Sequence, residues 1–251
     1  MSKKQLTVAV IGRGRMGRLV EEITLERGHR IGGVFEGPAA PGCAELEGHD
    51  VAIEFTRPEA AKANIERCLE AGVPVVSGTT GWTGVDEVAA LRERCETSGT
   101  GLLLAPNFAI GVFLFRRLVQ RAAELIAGDE LFDLWIEEAH HRGKADWPSG
   151  TALALASDAL ERLPRKTSIR RGAPDGPARP EELLVTSSRG GYEPGLHRVL
   201  IDAPDETIEL VHRARSRRVF ASGAVRAAEW LAGRDGFHSL TDILDPEETR
   251  A

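Results

Sequence analysis

Apolar residues in the first half of the chain fall into short runs parted by longer stretches of helical spacing. Leu6 to Ile11, Arg30 to Phe35, Val51 to Phe55, Val73 to Ser77 and Leu102 to Ala105 are β-rich runs of strand length. Between them the pattern predicts three helices. One runs to about Arg27 with Gly28 just past its end, one is opened by a Thr56-x-x-Glu59 capping box and closed at Gly72, and one reaches about Ser98. Strands alternating with helices imply a parallel sheet, whose ligands sit beyond the strand carboxyl ends.

After that the order changes. Residues 109–127 read as a helix, Leu131 to Ala139 as a strand and 151–163 as a helix. Pro164 to Pro180, rich in Pro, Gly and Arg, reads as a loop. Leu183–Ser188, Leu196–Ala203 and Thr207–His212 then read as strands joined by turns, and Phe220 to Leu231 as a helix returning to the first domain. The expected architecture is α/β: a Rossmann-like dinucleotide-binding domain with a parallel sheet (1–108 with 218–251) and a second α+β domain with a mixed sheet (109–217).

The first turn carries the first chemical signal. Gly12-Arg13-Gly14-Arg15-Met16-Gly17 follows a strand and opens a helix, and Glu36 ends the next strand 19 residues after Gly17. Glycines there permit a tight turn and close approach of a pyrophosphate to a helix N-terminus, where free N–H groups favour an anion. Glu36 is the expected acceptor for an adenosine ribose. Gly78-Thr79-Thr80-Gly81 and Ala105-Pro106-Asn107-Phe108 also fall at strand carboxyl ends, although taken alone both read equally as ordinary turns.

The second signal is Glu138-Ala139-His140-His141-Arg142-Gly143-Lys144-Ala145-Asp146-Trp147-Pro148-Ser149-Gly150-Thr151. Adjacent histidines at a strand end point to opposite sides, so they cannot share one job. One suits acid–base chemistry near neutral pH, the other a hydrogen bond to substrate. An isolated pair would read as surface or core histidines; Lys144 and the helix start at Ser149, Gly150 and Thr151 change that. The ammonium and the free N–H groups of such a start suit a carboxylate. Lysine is scarce in this chain (Lys3, Lys4, Lys62, Lys144 and Lys166), so its use here suggests a need for a group that can give up a proton.

Composition adds bounds. A hydrophobic fraction of 42% and a charged fraction of 28% fit a soluble globular enzyme. A net charge of −6 with scattered arginines argues against a nucleic-acid binder. Cys43, Cys68 and Cys95 lack metal-like spacing, so neither a disulfide framework nor a metal is expected. With no secretory apolar segment and no apolar run of membrane-spanning length, a cytoplasmic location is expected and no membrane partner.

The central stretch closely resembles the fingerprint of the 4-hydroxy-tetrahydrodipicolinate (dihydrodipicolinate) reductase family. Gly12 to Gly17, Phe55-Thr56, Gly78 to Gly81, Asn107-Phe108 and Ser222-Gly223-Ala224-Val225-Arg226 resemble family motifs in the same order. The resemblance implies reduction of a small cyclic dicarboxylate by NADH or NADPH in lysine and diaminopimelate biosynthesis. It implies His140 and Lys144 as proton-transfer residues, and His141, Gly150 and Thr151 as substrate ligands. Gly12, Arg13, Gly14, Arg15, Met16, Gly17, Glu36, Gly78, Thr79, Thr80, Ala105, Pro106, Asn107 and Phe108 would line the cofactor, and a homotetramer is implied. The alternatives are another two-domain nicotinamide dehydrogenase, which would not need Lys144 or the Pro-Ser-Gly-Thr start, and a non-catalytic NAD(H)-binding protein, which would not need His140.

Departures from the family pattern matter. The glycine loop is one residue short of the usual G-x-G-G-R-M-G, and Gly37-Pro38 stand where many members have an arginine after the ribose acid. Without that arginine NADH is the expected cofactor, with Arg13 or Arg15 the residues that would rescue NADPH. Trp147 stands in place of a small residue and Trp135 in place of a common Glu; both read as packing, or Trp147 as a wall of the substrate pocket. Glu54 replaces a commoner Asp without evident consequence, and Arg189 and Arg217 read as solvated-face residues.

Overall fold

The structure, a computed structural model, describes residues 4–37, 41–172 and 176–244. Its elements are β1 (Thr7–Ile11), α1 (Arg15–Glu26), β2 (Arg30–Phe35), α2 (Cys43–Leu46), β3 (Val51–Glu54), α3 (Pro58–Glu70), β4 (Val75–Ser77), α4 (Val85–Ser98), β5 (Gly101–Leu104), α5 (Ile110–Ile126), β6 (Asp133–His140), α6 (Gly150–Leu160), β7 (Ser168–Arg171), β8 (Glu182–Arg189), β9 (Leu196–Ala203), β10 (Glu206–Arg213), α7 (Arg218–Leu231), β11 (Gly236–His238) and α8 (Leu240–Leu244). They form two compact units, Met1–Ala109 with Arg218–Ala251, and Ile110–Arg217.

The first unit holds a six-stranded parallel sheet in the order β11-β5-β4-β3-β1-β2. Side chains alternate between its faces, and both faces are covered, which is why β3 is buried along its whole length. Val8, Val10, Ile53, Val76 and Leu103 pack with Val20 and Ile23 of α1 and with Ala221, Ala224, Ala228 and Leu231 of α7. Ala9, Ile11, Ala52, Val75 and Leu102 pack on the other side with Leu46, Ile65, Leu69 and Leu91 from α2, α3 and α4. Helix α7 thus completes a core begun by the first hundred residues. Gly223 lets it approach so closely that a Cβ there would lie 1.7 Å from the Phe108 carbonyl oxygen.

The second unit is a five-stranded mixed sheet, β10-β9-β6-β8-β7, in which β6 runs antiparallel to β9 and parallel to β8. Leu134, Ile136, Leu183, Val185, Val199 and Ile201 face Phe115, Val119, Ala152, Leu155 and Ala159 of α5 and α6. Arg116 ties these helices through a two-pronged pair with Asp158, at 2.6 and 2.8 Å.

Two readings of the sequence need correction. Helix α3 has no Thr56-x-x-Glu59 capping box: its N-cap is Arg57 with Pro58 at the first helical position, because the Thr56 hydroxyl is taken by Glu54. The segment 164–180 is not all loop, since Ser168–Arg171 pairs parallel with β8 and forms the sheet edge. Part of that segment (173–175), like Pro38, lies outside the described residues. Elements α2, β11 and α8 are too short to stand out as periodic patterns.

Gly223→Ala should lower stability by about 1–3 kcal/mol, since the new methyl overpacks against backbone that cannot yield. Urea unfolding of the two proteins checks this, and equal midpoints would contradict it.

Candidate active site

The glycine turn between β1 and α1 is closed to side chains at two points and open at a third. Gly12 has a left-handed φ of +93°, and a Cβ there would lie 2.2 Å from the Phe55 carbonyl oxygen. A Cβ on Gly17 would lie 1.8 Å from the Gly12 carbonyl oxygen, whereas one on Gly14 would meet nothing within 4 Å. Gly14 caps α1 without a side chain, and no acidic residue sits in the first helical turn. Exposed amides at the positive end of a helix, with room in front of them, suit a pyrophosphate. Arg13 is held between two acids, Glu21 and Glu36, each at 3.1 Å. Glu36 therefore grips Arg13 in this structure rather than standing free.

Gly78, Thr79 and Thr80 follow β4, and Ala105 to Phe108 follow β5, so the sheet places them at the same end as the glycine turn. Gly78 is needed because a Cβ there would lie 2.1 Å from the Phe55 ring, which also meets Phe108 edge-on at 5.9 Å. Between these loops sits Glu54, fully buried at the end of β3. It accepts hydrogen bonds from the Ser77 hydroxyl at 2.5 Å, the Thr79 hydroxyl at 2.9 Å and the Thr56 amide at 2.9 Å, and from the Thr56 hydroxyl. A buried carboxyl without such donors would cost several kcal/mol. Here one group fixes the exits of β3 and β4, a consequence that its exchange for Asp did not announce in the sequence.

In the second unit the burial alternation of β6 continues past Leu134 and Ile136 to Glu138 and His140, so two polar residues occupy the core stripe. Glu138 is 3% exposed and accepts from the Arg189 guanidinium at 2.8 Å, the Ser149 amide at 3.2 Å and His140 Nδ1. Burial works against its charge, yet Arg189, Ser187 and His140 hold it below the usual carboxylate range. Burial also pushes His140 below its ordinary value, with Glu138 opposing. His197 packs edge-on to His140 at 5.2 Å, shares a 3.2 Å hydrogen bond with the Ser149 hydroxyl, and is pushed down to about 3, chiefly by burial. It is therefore neutral at physiological pH. Glu138, His140 and His197 place ligand-type atoms within 4.8 Å of one another, but Arg189 and the Ser149 amide already occupy the carboxylate.

Arg189 corrects the sequence reading most sharply. Its side chain is 4% exposed, its guanidinium lies 4.6 Å from the Trp147 ring centre, and it donates to the Asp146 carbonyl. Arg217 is half-buried rather than solvated. Trp147 is 56% exposed, so it is not a core residue, and Trp135 reaches Glu137 at 3.4 Å. Ser149 is the N-cap of α6, its hydroxyl accepting from the Ala152 amide at 3.2 Å. His141 is half-buried, with its amide on the Glu193 carbonyl at 2.7 Å. Lys144 pairs with Asp146 at 2.9 Å. Although partial burial opposes it, Lys144 and the Gly150 amide hold the Asp146 carboxylate below its ordinary value. His140, Lys144, Gly150 and Thr151 are thus gathered on one strand end, loop and helix start.

The family model for the dihydrodipicolinate reductase C-terminus matches residues 111–244, and that for the dihydrodipicolinate reductase N-terminus matches residues 39–108. The chain belongs to the dihydrodipicolinate reductase family. Proteins named 4-hydroxy-tetrahydrodipicolinate reductase from Christiangramia forsetii and Natronomonas pharaonis are 39% and 38% identical to it over 95% of its length, covering 98% and 100% of their own. The dipicolinate-bound dihydrodipicolinate reductase of Paenisporosarcina sp. TG-14 shares the fold with a TM-score of 0.74 at 24% identity, covering 94% of this chain and 98% of that one. A DAP dehydrogenase from C. glutamicum shares it more loosely, with a TM-score of 0.56 at 16% identity over 98% and 97%. Dihydrodipicolinate reductase membership makes this chain an NAD(P)H-dependent oxidoreductase of lysine and diaminopimelate biosynthesis. No described helix is long and apolar enough to cross a membrane.

The neutral, buried His197 sets a pH dependence. Between pH 6.5, where an unfolded histidine protonates, and about 3, where this one does, the unfolded state binds the extra proton. Stability therefore falls with acidification across that window, by up to about 1.4 kcal/mol per pH unit from this group. His197→Gln should show a shallower loss than wild type in urea midpoints measured from pH 7 to pH 4; parallel curves would contradict this.

Proposed function

We propose that this chain reduces 4-hydroxy-tetrahydrodipicolinate, or its dehydrated form, to tetrahydrodipicolinate, with His140 and Lys144 as the proton-transfer residues. The observation that carries the reading is the carboxylate already seated in the loop. The Lys144 ammonium pairs with the Asp146 carboxylate at 2.9 Å, so the cation of this loop already holds a group of the substrate's chemistry. His141, Gly150 and Thr151 hold the substrate carboxylates, at the amino end of α6. The reduced nicotinamide supplies the hydride. Electron density left on a conjugated imine must be met by a proton, and His140 and Lys144 deliver it.

The first unit, residues 1–108 with 218–251, binds the cofactor. The Gly12–Gly17 turn takes the pyrophosphate, with Arg13, Arg15 and Met16 flanking it. Glu36 accepts from the ribose, and Gly78–Thr80 and Ala105–Phe108 line the remainder. NADH is preferred: Glu36 repels a 2′-phosphate, and Arg13, one of the two arginines that could offset it, is already shared between Glu21 and Glu36. The second unit, residues 109–217, binds substrate and builds a cytoplasmic homotetramer. Exposed Leu114, Leu118, Leu125, Ile208 and Val211 supply apolar surface for that assembly.

His140→Ala and Lys144→Ala should each lower kcat by about a hundredfold while NADH affinity stays near wild type. A coupled assay with the preceding synthase, following NADH oxidation, reads this; near-normal turnover in both variants would refute the assignment. The same assay run with NADPH should give a lower kcat/KM than with NADH, and Glu36→Gln should narrow the difference. A wild-type preference for NADPH would overturn the Glu36 argument.

A further inference from the structure

Glu138 stands outside the residues assigned above, yet it is the most heavily bonded side chain of the second unit's site. It lies two residues before His140 on the same face of β6, fully enclosed, and its carboxylate contacts His140 Nδ1. Its other oxygen takes the Arg189 guanidinium at 2.8 Å and the Ser149 amide at 3.2 Å. Arg189 is the register partner of His140 across the β6–β8 pairing, so the cation reaches the carboxylate without leaving the sheet. On the far side of the imidazole is Gly195, where a Cβ would come within 3.1 Å of His140 Nε2. One ring nitrogen is therefore anchored, and the other faces a position kept clear of side chain.

We propose that Glu138 is a positioning residue that holds His140 with Nδ1–H donating to its carboxylate, so that Nε2 is the atom that gives and takes the proton during reduction. Arg189 keeps that carboxylate charged and fixed, which is what an orienting acceptor requires. The bond to the Ser149 amide extends the same anchor to the start of α6, setting the imidazole and the carboxylate cradle in one register. This rests on the reading of His140 as the proton-transfer residue and adds which atom acts and what fixes it.

The charged and titratable groups around His140 are Glu138 on its own strand, Lys144 on the following loop, Arg189 on β8 and His197 on β9, with His212 of β10 behind His197. Glu138 alone among them favours the imidazolium. Removing its charge leaves burial, with the smaller effects of Lys144 and Arg189, acting on the imidazolium without the acid that opposes them, so His140 must lose its proton at lower pH.

The test is Glu138→Gln, which keeps the shape of the side chain and removes the charge. Its kcat should fall about a hundredfold with the KM for NADH within about twofold of wild type. The limb on which kcat falls with rising pH should move to lower pH. Imidazole 15N spectra of the wild-type protein, with His140 assigned by its loss in His140→Gln, should show Nδ1 protonated and Nε2 bare in the neutral ring. A neutral Nε2–H tautomer would overturn the proposal, as would Glu138→Gln with wild-type kcat and pH limb. Should Glu138→Gln fail to fold, the wild-type spectrum decides. His140→Gln in the same assay separates the readings: if it turns over normally the acid–base assignment fails, whereas its loss beside an unaffected Glu138→Gln sinks this inference alone.

Discussion

A carboxyl group taken out of water must be met by donors, and in each unit one such group decides where the chain segments stop. Glu54 and Glu138 both sit at or near the carboxyl end of a central strand, and both are enclosed. Glu54 draws in Thr56, Ser77 and Thr79; Glu138 draws in His140, Ser149 and Arg189. The partners come from separate strands and loops, so the need to satisfy one buried acid fixes several segments at once. Strand ends are where an α/β fold leaves its backbone free to meet ligands, and there both acids replace looseness with fixed positions.

The charge arrangement of the second unit follows from that constraint. His140 and His197 are both pushed toward the neutral form by burial, while Arg189 is spent on Glu138 and Lys144 on Asp146. Both of these cations thus have an anionic partner, and one of those partners, Asp146, is half-exposed on the loop that bears Lys144. A dianionic ligand exchanging with Asp146 would meet a cation already aimed at a carboxylate, which lowers the cost of reorganising the loop.

Much of this was legible in the chain. The alternation of short apolar runs with helical stretches gave the parallel sheet, and the glycine turn and the His-His-Lys stretch pointed to the carboxyl ends of β1 and β6. What escaped has physical reasons. Glu138 was visible as a member of the fingerprint, but its burial follows from sharing the parity of Leu134 and Ile136, a signal that could have been used. Arg189 could not be placed without the parallel β6–β8 register, which joins residues far apart in sequence. Two partners of Glu54, Ser77 and Thr79, likewise lie across a strand pair or just beyond it. The strand Ser168–Arg171 was hidden by neighbouring Pro and Gly, because edge pairing needs only four residues and one willing partner.

The returning helix α7 has a consequence for the order of events at the ribosome. Ala221, Ala224, Ala228 and Leu231 cover an apolar face whose strand and α1 residues were synthesised more than a hundred positions earlier. The nascent amino-terminal sheet therefore emerges with Val10, Ile53 and Val76 lacking the cover of α7, and keeps that exposed patch until the whole intervening unit has been translated. Chaperone occupancy on this chain should concentrate in that interval, and a circular permutant that makes α7 early would shorten it.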